Sequence, residues 1–266
     1  MASLAQRELI SRVSADLSAL EVVRGLWLTG SFGAGTADEH SDVDMFVLVP
    51  AESRDQLAAG WPAVAARYEP LLVKRLGGAP VYTHVLPGWL RWDVVIGTTT
   101  DLATVDRRRV EELVNKDGAT PGSPGHRGAE PDVVREMTEE FLRVLGLLVV
   151  VLARDELVAA VSGAGMLRQM LTTLLRYRVE GDRLSGALHL SRVLPADQTA
   201  ALADLPVARP ERSSVVAAHL ACARMFLPVA RQMLGASYPA ELEAACLEHL
   251  RTHLGLDLAS ALAPSS

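Results

Sequence analysis

Two aspartates, one residue apart, open an apolar run and are well suited to metal chemistry. The run reads DVDMFVLV over residues 42–49. Because successive side chains of a strand point to opposite faces, Asp42 and Asp44 project together while Val43 and Met45 point into the core. Carboxylates this close repel each other, and a divalent cation such as Mg²⁺ relieves the repulsion by binding both. The spacing therefore predicts a metal site at the start of a strand.

A third carboxylate, Asp93, lies in a second apolar run, LRWDVVI, at residues 90–96. Trp92 and Val94 share the apolar face of this predicted strand, so Asp93 points away from them, alongside Arg91. If the two strands are neighbours, three carboxylates converge, and such a set can hold two metals for in-line phosphoryl transfer. The alternative is a surface aspartate that pairs with Arg91.

The segment GSFGAG, residues 30–35, follows a predicted strand over Leu26–Thr29. Glycine lets the backbone approach a ligand closely and adopt positive φ. If a helix begins here, its free N–H groups form an anion site, to which Ser31 adds a hydroxyl donor. A phosphate cradle at Gly30 and Ser31, about a dozen residues from a carboxylate pair, indicates a metal–nucleotide complex.

Periodicity divides the chain into an N-terminal α/β part and a C-terminal helical part. Ile10, Val13 and Leu17 have helical spacing, as do Leu57, Trp61 and Val64. Short apolar runs bounded by Gly and Pro predict five strands: Leu26–Thr29, Val43–Val49, Leu71–Leu76, Val81–Leu86 and Leu90–Ile96. Residues 115–132 are dense in Gly, Pro and polar residues and predict a linker or loop.

From Val133 onward the pattern is helical, and four segments each present an apolar face. One face is formed by Phe141, Leu145, Leu148 and Leu152, and another by Met166, Met170, Leu174 and Tyr177. The predicted fold class is α+β, with an N-terminal α/β domain and a C-terminal all-α bundle. The predicted boundaries are 1–114 for the catalytic domain, 115–132 for the linker and 133–266 for a helical substrate-binding domain.

The ordered set of Gly30-Ser31, Asp42-Val43-Asp44 and a distal strand aspartate resembles the DNA polymerase β-like nucleotidyltransferase superfamily. The match covers roughly residues 26–96. The length and the helical second half further resemble the aminoglycoside and lincosamide nucleotidyltransferases. The resemblance implies a small mixed sheet, with Gly30 and Ser31 binding phosphate and Asp42 and Asp44 binding metal. Asp93 would match the third carboxylate, which holds a metal and can take the acceptor's proton.

What this resemblance implies is an enzyme that moves a nucleoside monophosphate from an NTP to a hydroxyl and releases pyrophosphate. We expect Mg²⁺, with two ions at the site, as cofactor, an NTP as co-substrate, and a small hydroxyl-bearing acceptor, by layout an antibiotic. The identity of the general base is open. Four glutamates near the linker are alternatives to Asp93 as the base: Glu111, Glu112, Glu139 and Glu140, each of which otherwise reads as a solvated helix residue.

Several other residues have weaker patterns. His249 and His253 are spaced i, i+4, which suits a metal, although capping of a helix C-terminus explains them better. Arginines at 107–109, 168 and 176 are candidates for phosphate contact, with solvated faces and surface pairing as the alternative. Tyr82, Trp89 and Trp92 are candidates for an acceptor pocket, with core packing as the alternative.

Composition excludes several classes of protein. The 266 residues are 49% hydrophobic and 22% charged, which is typical of a globular protein. A formal charge of −6 and no basic stripe argue against nucleic acid as a partner. The longest apolar run, residues 144–153, is about half of a membrane span. We therefore expect a cytoplasmic protein without a membrane segment, acting as a monomer or homodimer.

Two alternatives to a small-molecule enzyme remain open at this point. The same chemistry can modify a protein side chain or a tRNA end, although the acidic balance disfavours tRNA. A nucleotide-binding regulator without turnover is the second alternative, and the presence of all three carboxylates argues against it.

Overall fold

A computed structural model describes residues 1–123, 130–181 and 190–256 of the chain. The chain divides into two compact units, Met1–Gly125 and His126–Ser266. The first unit combines a sheet with helices and the second unit is helical in its described residues, so the predicted α+β class is confirmed.

The first unit is built on a six-stranded mixed sheet. The strands are β1 (Gly25–Leu28), β2 (Val43–Leu48), β3 (Leu72–Arg75), β4 (Val81–Leu86), β5 (Leu90–Gly97) and β6 (Glu111–Asn115). Their order across the sheet is β3-β4-β5-β2-β1-β6. Only the β2–β5 pair is parallel, and all other neighbours are antiparallel. This pair joins the two strands that carry the aspartates.

All five strands predicted from the sequence are present, within a residue or two at each end, and the sixth was missed. Strand β6 pairs with β1 and contains Glu111 and Glu112. The expectation that these two glutamates are solvated helix residues was therefore wrong. The strand EELVN lacks a clean alternation of apolar and polar residues because it lies at the sheet edge, with no residue fully buried.

Helices cover the sheet and set the positions of its loops. The first unit contains α1 (Leu4–Ser18), α2 (Gly30–Gly33), α3 (Ala51–Ala65) and α4 (Thr99–Leu102). Three 3₁₀ turns, at Ala66–Tyr68, Pro87–Trp89 and Arg107–Arg109, complete it. Helix α1 begins with a capping box, in which Ser3 Oγ accepts from the Gln6 N–H and the Gln6 side chain accepts from the Ser3 N–H.

Apolar side chains are buried on both faces of the sheet, but unequally. The larger cluster includes Val43, Met45 and Val47 of β2, as the alternation predicts. The opposite face of the same strand holds Asp44 at its start and then Phe46 and Leu48, which pack with Trp27 and Leu102 in a smaller cluster. Farther along the strand from Asp44, apolar side chains thus cover the face that bears this aspartate.

A fully buried histidine, His84, lies on β4, beside the strand that carries Asp93. Trp61 Nε1 donates to His84 Nε2 at 2.9 Å, and because the indole nitrogen can only donate, Nε2 must be the acceptor. The proton of His84 is then on Nδ1, which donates to the Trp92 carbonyl oxygen at 2.7 Å. The two rings of His84 and Trp92 stack with centroids 4.4 Å apart. Burial lowers the pKa of His84, so it is neutral in the folded protein.

Replacing His84 should lower the free energy of unfolding and should also make that free energy less dependent on pH. His84→Gln leaves the Trp61 and Trp92 groups poorly paired, and we expect a loss of about 2–3 kcal/mol in the free energy of unfolding. Because the folded pKa is below the unfolded value of about 6.5, His84 costs stability as the pH falls below 6.5. Urea unfolding at pH 7.5 and 5.5 should therefore show that the free energy of unfolding falls more on acidification in the wild type than in the variant. The exposed His40, changed to Gln, is the control and should match the wild type.

The second unit is a helical bundle. Its helices are α5 (Pro131–Ala153), α6 (Leu157–Glu180), α7 (Leu190–Val193), α8 (Ala196–Ala203), α9 (Arg212–Leu234) and α10 (Ala240–Leu254), with a 3₁₀ turn at Gly235–Ser237. Phe141 of α5 stacks on Phe226 of α9, with ring centroids 3.8 Å apart. The predicted α5 face of Phe141, Leu145, Leu148 and Leu152 is buried. In α6 the prediction was partly wrong, because Leu167 and Leu171 are buried with Leu174, whereas Met166 is exposed.

Two helices, Leu157–Glu180 and Arg212–Ser237, are long and apolar enough to cross a membrane by length and composition. Core helices of water-soluble bundles pass the same test, and both segments contribute to the apolar core of the second unit. The expectation that the chain has no membrane segment stays a prediction.

The predicted domain boundaries also stay predictions, because the two units are defined by compactness and not by function. The predicted linker, 115–132, begins at the last residue of β6 and ends at the second residue of α5. Gly122, within the predicted linker, forms an isolated β-bridge with Asp106, which precedes the linker. Residues 124–129 of this linker, and residues 182–189 and 257–266 of the predicted helical domain, lie outside the described part of the chain.

Candidate active site

Three carboxylates meet where two neighbouring parallel strands, β2 and β5, run side by side, one of them on the residue just before β2. Asp44 and Asp93 are register partners in the β2–β5 pair, and Asp42 lies two residues before Asp44. Because register partners on adjacent strands project to the same face, the structure brings together the three aspartates that the sequence analysis singled out. One carboxylate oxygen of each lies within 4.8 Å of the others. Within the described residues, this is the only group of three or more His, Cys, Asp or Glu side chains at metal-binding distance.

Gly30, the first residue of α2, lies directly against the Asp44 side chain. Gly30 has φ of +58°, and a Cβ built on it would lie 2.8 Å from the Asp44 Cγ and closer still to Oδ2. The N–H of Thr29, the residue before it, donates to the Asp44 carbonyl oxygen at 2.9 Å. Only glycine allows the backbone to pass this carboxylate so closely. The glycine-rich turn and the aspartate therefore form a single unit.

Ser31 follows in α2, a helix of four residues. Its Oγ is buried and has no hydrogen-bond partner in the part of the chain that the structure describes. A buried hydroxyl without a partner is costly and calls for a specific explanation, such as a bound group that it contacts. The position beside Asp44, through Gly30, suits an oxygen-rich anion as that group.

Burial and mutual repulsion dominate the electrostatics of the cluster. Burial, followed by the charges of Asp42 and Asp93, raises the pKa of Asp44 to about 7. Burial is also the main cause of the raised pKa of Asp93, against which a hydrogen bond from the Thr83 side chain acts. Asp93 Oδ1 is buried and has no hydrogen-bond partner among the described residues. Crowded carboxylates with an unpaired buried oxygen fit a divalent cation, since Mg²⁺ takes oxygen ligands and removes the repulsion.

Arg91 forms an ion pair with this cluster, and its partner differs from the one considered in the sequence analysis. Its Nη1 lies 3.4 Å from Asp42 Oδ2, so the ion pair forms with Asp42 and not with Asp93. Asp93 is left facing Asp44. The alternative reading of Asp93, as a surface aspartate paired with Arg91, is therefore wrong.

A supporting residue that the sequence analysis missed is Gln6 of α1. Its side chain is buried, and Nε2 donates to the carbonyl oxygens of Asp38 at 3.0 Å and Ser41 at 2.6 Å. These bonds tether the loop that leads directly into Asp42. Gln6 lies on the buried stripe of α1 with Leu9 and Val13. An amide on an otherwise apolar stripe was the available signal, because a buried amide needs specific partners.

The alternative bases lie in several places. In the first unit, Glu111 and Glu112 are exposed residues of β6, where Glu112 Oε2 accepts from Asn115 at 2.8 Å. In the second unit, Glu139 pairs with Arg135, and Glu140 pairs with Arg143, along the surface of α5. Surface pairs of this kind are typical of solvated helix faces.

Most of the remaining candidates make ordinary packing, hydrogen-bond or ion-pair contacts. Tyr82 and Trp92 are core residues, whereas Trp89 is 75% exposed in the turn before β5. The rings of His249 and His253 lie 4.7 Å apart on α10, outside any three-residue metal group in the described chain. Arg168 donates to the Leu202 carbonyl oxygen. Arg176 pairs with Glu180, and Arg108 with Asp106.

Comparison with known proteins identifies a domain family in the N-terminal part of the chain. Residues 8–85 match the family model described as a nucleotidyltransferase domain, a range that contains Gly30, Ser31, Asp42 and Asp44 and ends before Asp93. No curated protein matches the chain significantly.

Three solved structures resemble the chain at low identity. An aminoglycoside 6-adenyltransferase from Bacillus subtilis is 15% identical over 92% of this chain and 96% of that one, with a TM-score of 0.44. A nucleotidyltransferase-like protein from Exiguobacterium sibiricum 255-15 is 14% identical over 94% and 87%, with a TM-score of 0.33. A CdnC:HORMA-deltaN complex from E. coli MS115-1 is 13% identical over 96% and 93%, with a TM-score of 0.30.

The family match covers the strand, the glycine turn and the aspartate pair from which the resemblance was first inferred. The predicted relationship to the DNA polymerase β-like nucleotidyltransferases is thereby confirmed for the N-terminal unit, which carries a nucleotidyltransferase domain.

Proposed function

We propose that the protein is a Mg²⁺-dependent enzyme that transfers a nucleoside monophosphate from an NTP to a hydroxyl of an aminoglycoside or lincosamide antibiotic. Pyrophosphate is the second product. The observation that carries this proposal is the meeting of Asp42, Asp44 and Asp93 beside the Gly30-Ser31 turn. Each part meets one need of nucleotidyl transfer: carboxylates for cations, and a close backbone turn for phosphates.

The three aspartates would hold Mg²⁺, two ions in all, and bound Mg²⁺ would neutralise the charge of the triphosphate and of the leaving pyrophosphate. Ser31 Oγ donates a hydrogen bond to a phosphate oxygen, which accounts for its lack of a partner among the described residues. Gly30 allows the nucleotide phosphates to approach the Asp44 carboxylate. These residues bind and orient the nucleotide without changing covalently.

Asp93 accepts the proton of the acceptor hydroxyl in this mechanism. The hydroxyl oxygen forms a bond to the α-phosphorus, the bond from that phosphorus to the pyrophosphate oxygen breaks, and the proton passes to the carboxylate. Its Oδ1 is buried and unpaired in the described chain, which leaves this oxygen free to accept the proton. Thr83 orients the same carboxyl through its side chain.

The acceptor class is supported by charge and by overall layout. The chain carries six more acidic than basic side chains, a balance that suits a cationic small molecule better than a nucleic acid. Its length and helical second part match the arrangement expected of antibiotic-modifying members. We place the enzyme in the cytoplasm, as a monomer or homodimer, because that compartment supplies NTPs and because Cys222 and Cys246 are buried free thiols.

The test combines Mg²⁺ and each of the four NTPs with a panel of aminoglycosides and lincosamides, and measures pyrophosphate release and product mass. We expect one acceptor class to gain the mass of a nucleoside monophosphate, only when Mg²⁺ is present. Asp93→Asn, which keeps the shape of the side chain but not its basicity, should lower the rate by at least about 100-fold. Turnover with a protein or a tRNA and with no small acceptor would contradict the proposed acceptor.

A further inference from the structure

Arg91 occupies a position that the proposed chemistry does not explain. It lies on β5, two residues before Asp93 and therefore on the same face of the sheet. Its Nη1 is 3.4 Å from Asp42 Oδ2, and its Nη2 donates to the His40 carbonyl oxygen at 3.3 Å. Two contacts thus direct a positive charge at a carboxylate that would serve as a metal ligand.

A guanidinium and a divalent cation compete for the same carboxylate. A cation that binds Asp42 must approach within a few ångströms of Arg91, where like charges repel. Because its guanidinium is paired with Asp42, Arg91 supports the ionised cluster when no cation is bound. In this state it acts as the counter-charge for the carboxylates.

An incoming nucleotide changes this balance. A triphosphate brings several negative charges, and its phosphate groups offer pairs of oxygens that the planar guanidinium can bind in a bidentate way. A cation that arrives with a nucleotide therefore meets a site in which Arg91 has another partner. A cation that arrives alone meets a site in which Arg91 is still paired with Asp42.

We propose that Arg91 is a positioning residue that holds Asp42 and weakens the binding of a bare divalent cation, so that cation and nucleotide bind cooperatively. This inference rests on the proposed function, because it takes Asp42 and Asp44 as metal ligands. It assigns to Arg91 control over the order of binding, a role separate from the chemical step.

Binding of Mn²⁺ alone, followed by electron paramagnetic resonance, tests this role without turnover. Arg91→Gln should bind Mn²⁺ about tenfold more tightly than the wild type, because a positive charge beside the ligands is removed. Arg91→Lys keeps the charge and should stay close to the wild type. Arg54→Gln is the matched control, since Arg54 is 38% exposed against 34% for Arg91 and lies 3.9 Å from Asp101, outside the carboxylate cluster.

The α,β-methylene analogues of ATP and GTP supply the second measurement. The better of the two should tighten Mn²⁺ binding by at least tenfold in the wild type and much less in Arg91→Gln. Equal or weaker Mn²⁺ binding by Arg91→Gln would overturn the inference and leave Arg91 as a support for Asp42 alone.

Asp44→Asn separates this failure from a failure of the proposed function. If Asp44→Asn abolishes Mn²⁺ binding while Arg91→Gln has no effect, only the role of Arg91 is lost. If neither the wild type nor Arg91→Gln binds Mn²⁺, the metal site itself is contradicted, and the inference falls with it. Circular dichroism of each variant confirms that the fold is intact.

Discussion

Asp44→Asn should abolish nucleotidyl transfer and, at the same time, stabilise the metal-free protein at pH 8. The variant loses the central carboxylate of the cluster, and we expect turnover to fall by about 10³-fold or more. The side chain keeps its shape beside Gly30, so the fold is retained. A variant that is inactive and yet more stable is a signature of a strained functional site and not of a damaged fold.

The gain in stability follows from the pKa of Asp44. Its folded value of about 7 is well above the unfolded value of about 3.9. The folded state therefore binds more protons between these values, and stability contributed by this group is lost as the pH rises through 7. Asparagine stays neutral throughout, and we expect the variant to exceed the wild type by about 2–4 kcal/mol at pH 8 and to match it near pH 4.

Urea unfolding in the presence of a chelator measures this difference, and addition of Mg²⁺ should narrow it by stabilising only the wild type. Asp55→Asn is the control, because the Asp55 side chain is 87% exposed and lies outside the cluster. It should change neither activity nor the pH dependence of unfolding. An active Asp44→Asn protein would contradict the metal-site assignment, and an unchanged stability at pH 8 would contradict the crowded, buried environment of Asp44.

Gly30→Ala should lower the activity strongly and the stability only modestly. The added Cβ would overlap the Asp44 carboxyl group, which must then move away from Asp42 and Asp93. Since carboxylates need placement within about 0.5 Å to act together, we expect a loss of about 100-fold in kcat/KM. The positive φ adds a backbone penalty of about 1–2 kcal/mol, because alanine resists the left-handed conformation.

Gly35→Ala is a matched control in the same segment. Gly35 also has positive φ, +69°, but a Cβ on it would meet nothing within 4 Å. This variant should lose about the same amount of stability from its backbone conformation but keep most of its activity. Thermal unfolding and initial rates, measured on both variants, separate strain from displacement of the carboxylate. Equal activity losses in the two variants would show that the contact between Gly30 and Asp44 is not what positions the cluster.

Local sequence patterns determined much of this protein. Alternation of apolar and polar residues identified five strands, and it placed Asp42 and Asp44 on the face opposite Val43 and Met45. The glycine-serine turn after β1 was recognisable because few residue types tolerate its backbone. Periodicity also identified the buried face of α5. Each of these features depends on residues within one element, so the information is contained in a short stretch of chain.

The tertiary structure alone decided which elements meet. That β5 lies parallel to β2, with Asp93 opposite Asp44, depends on hydrogen bonds between segments about fifty residues apart, which no local pattern records. The same holds for β6 and for the tether from Gln6 to the loop before Asp42. The pairing of Arg91 with Asp42 and the raised pKa of Asp44 arise only after these contacts form. Burial and charge proximity are properties of the assembled unit, and they convert three aspartates along a chain into one candidate metal site.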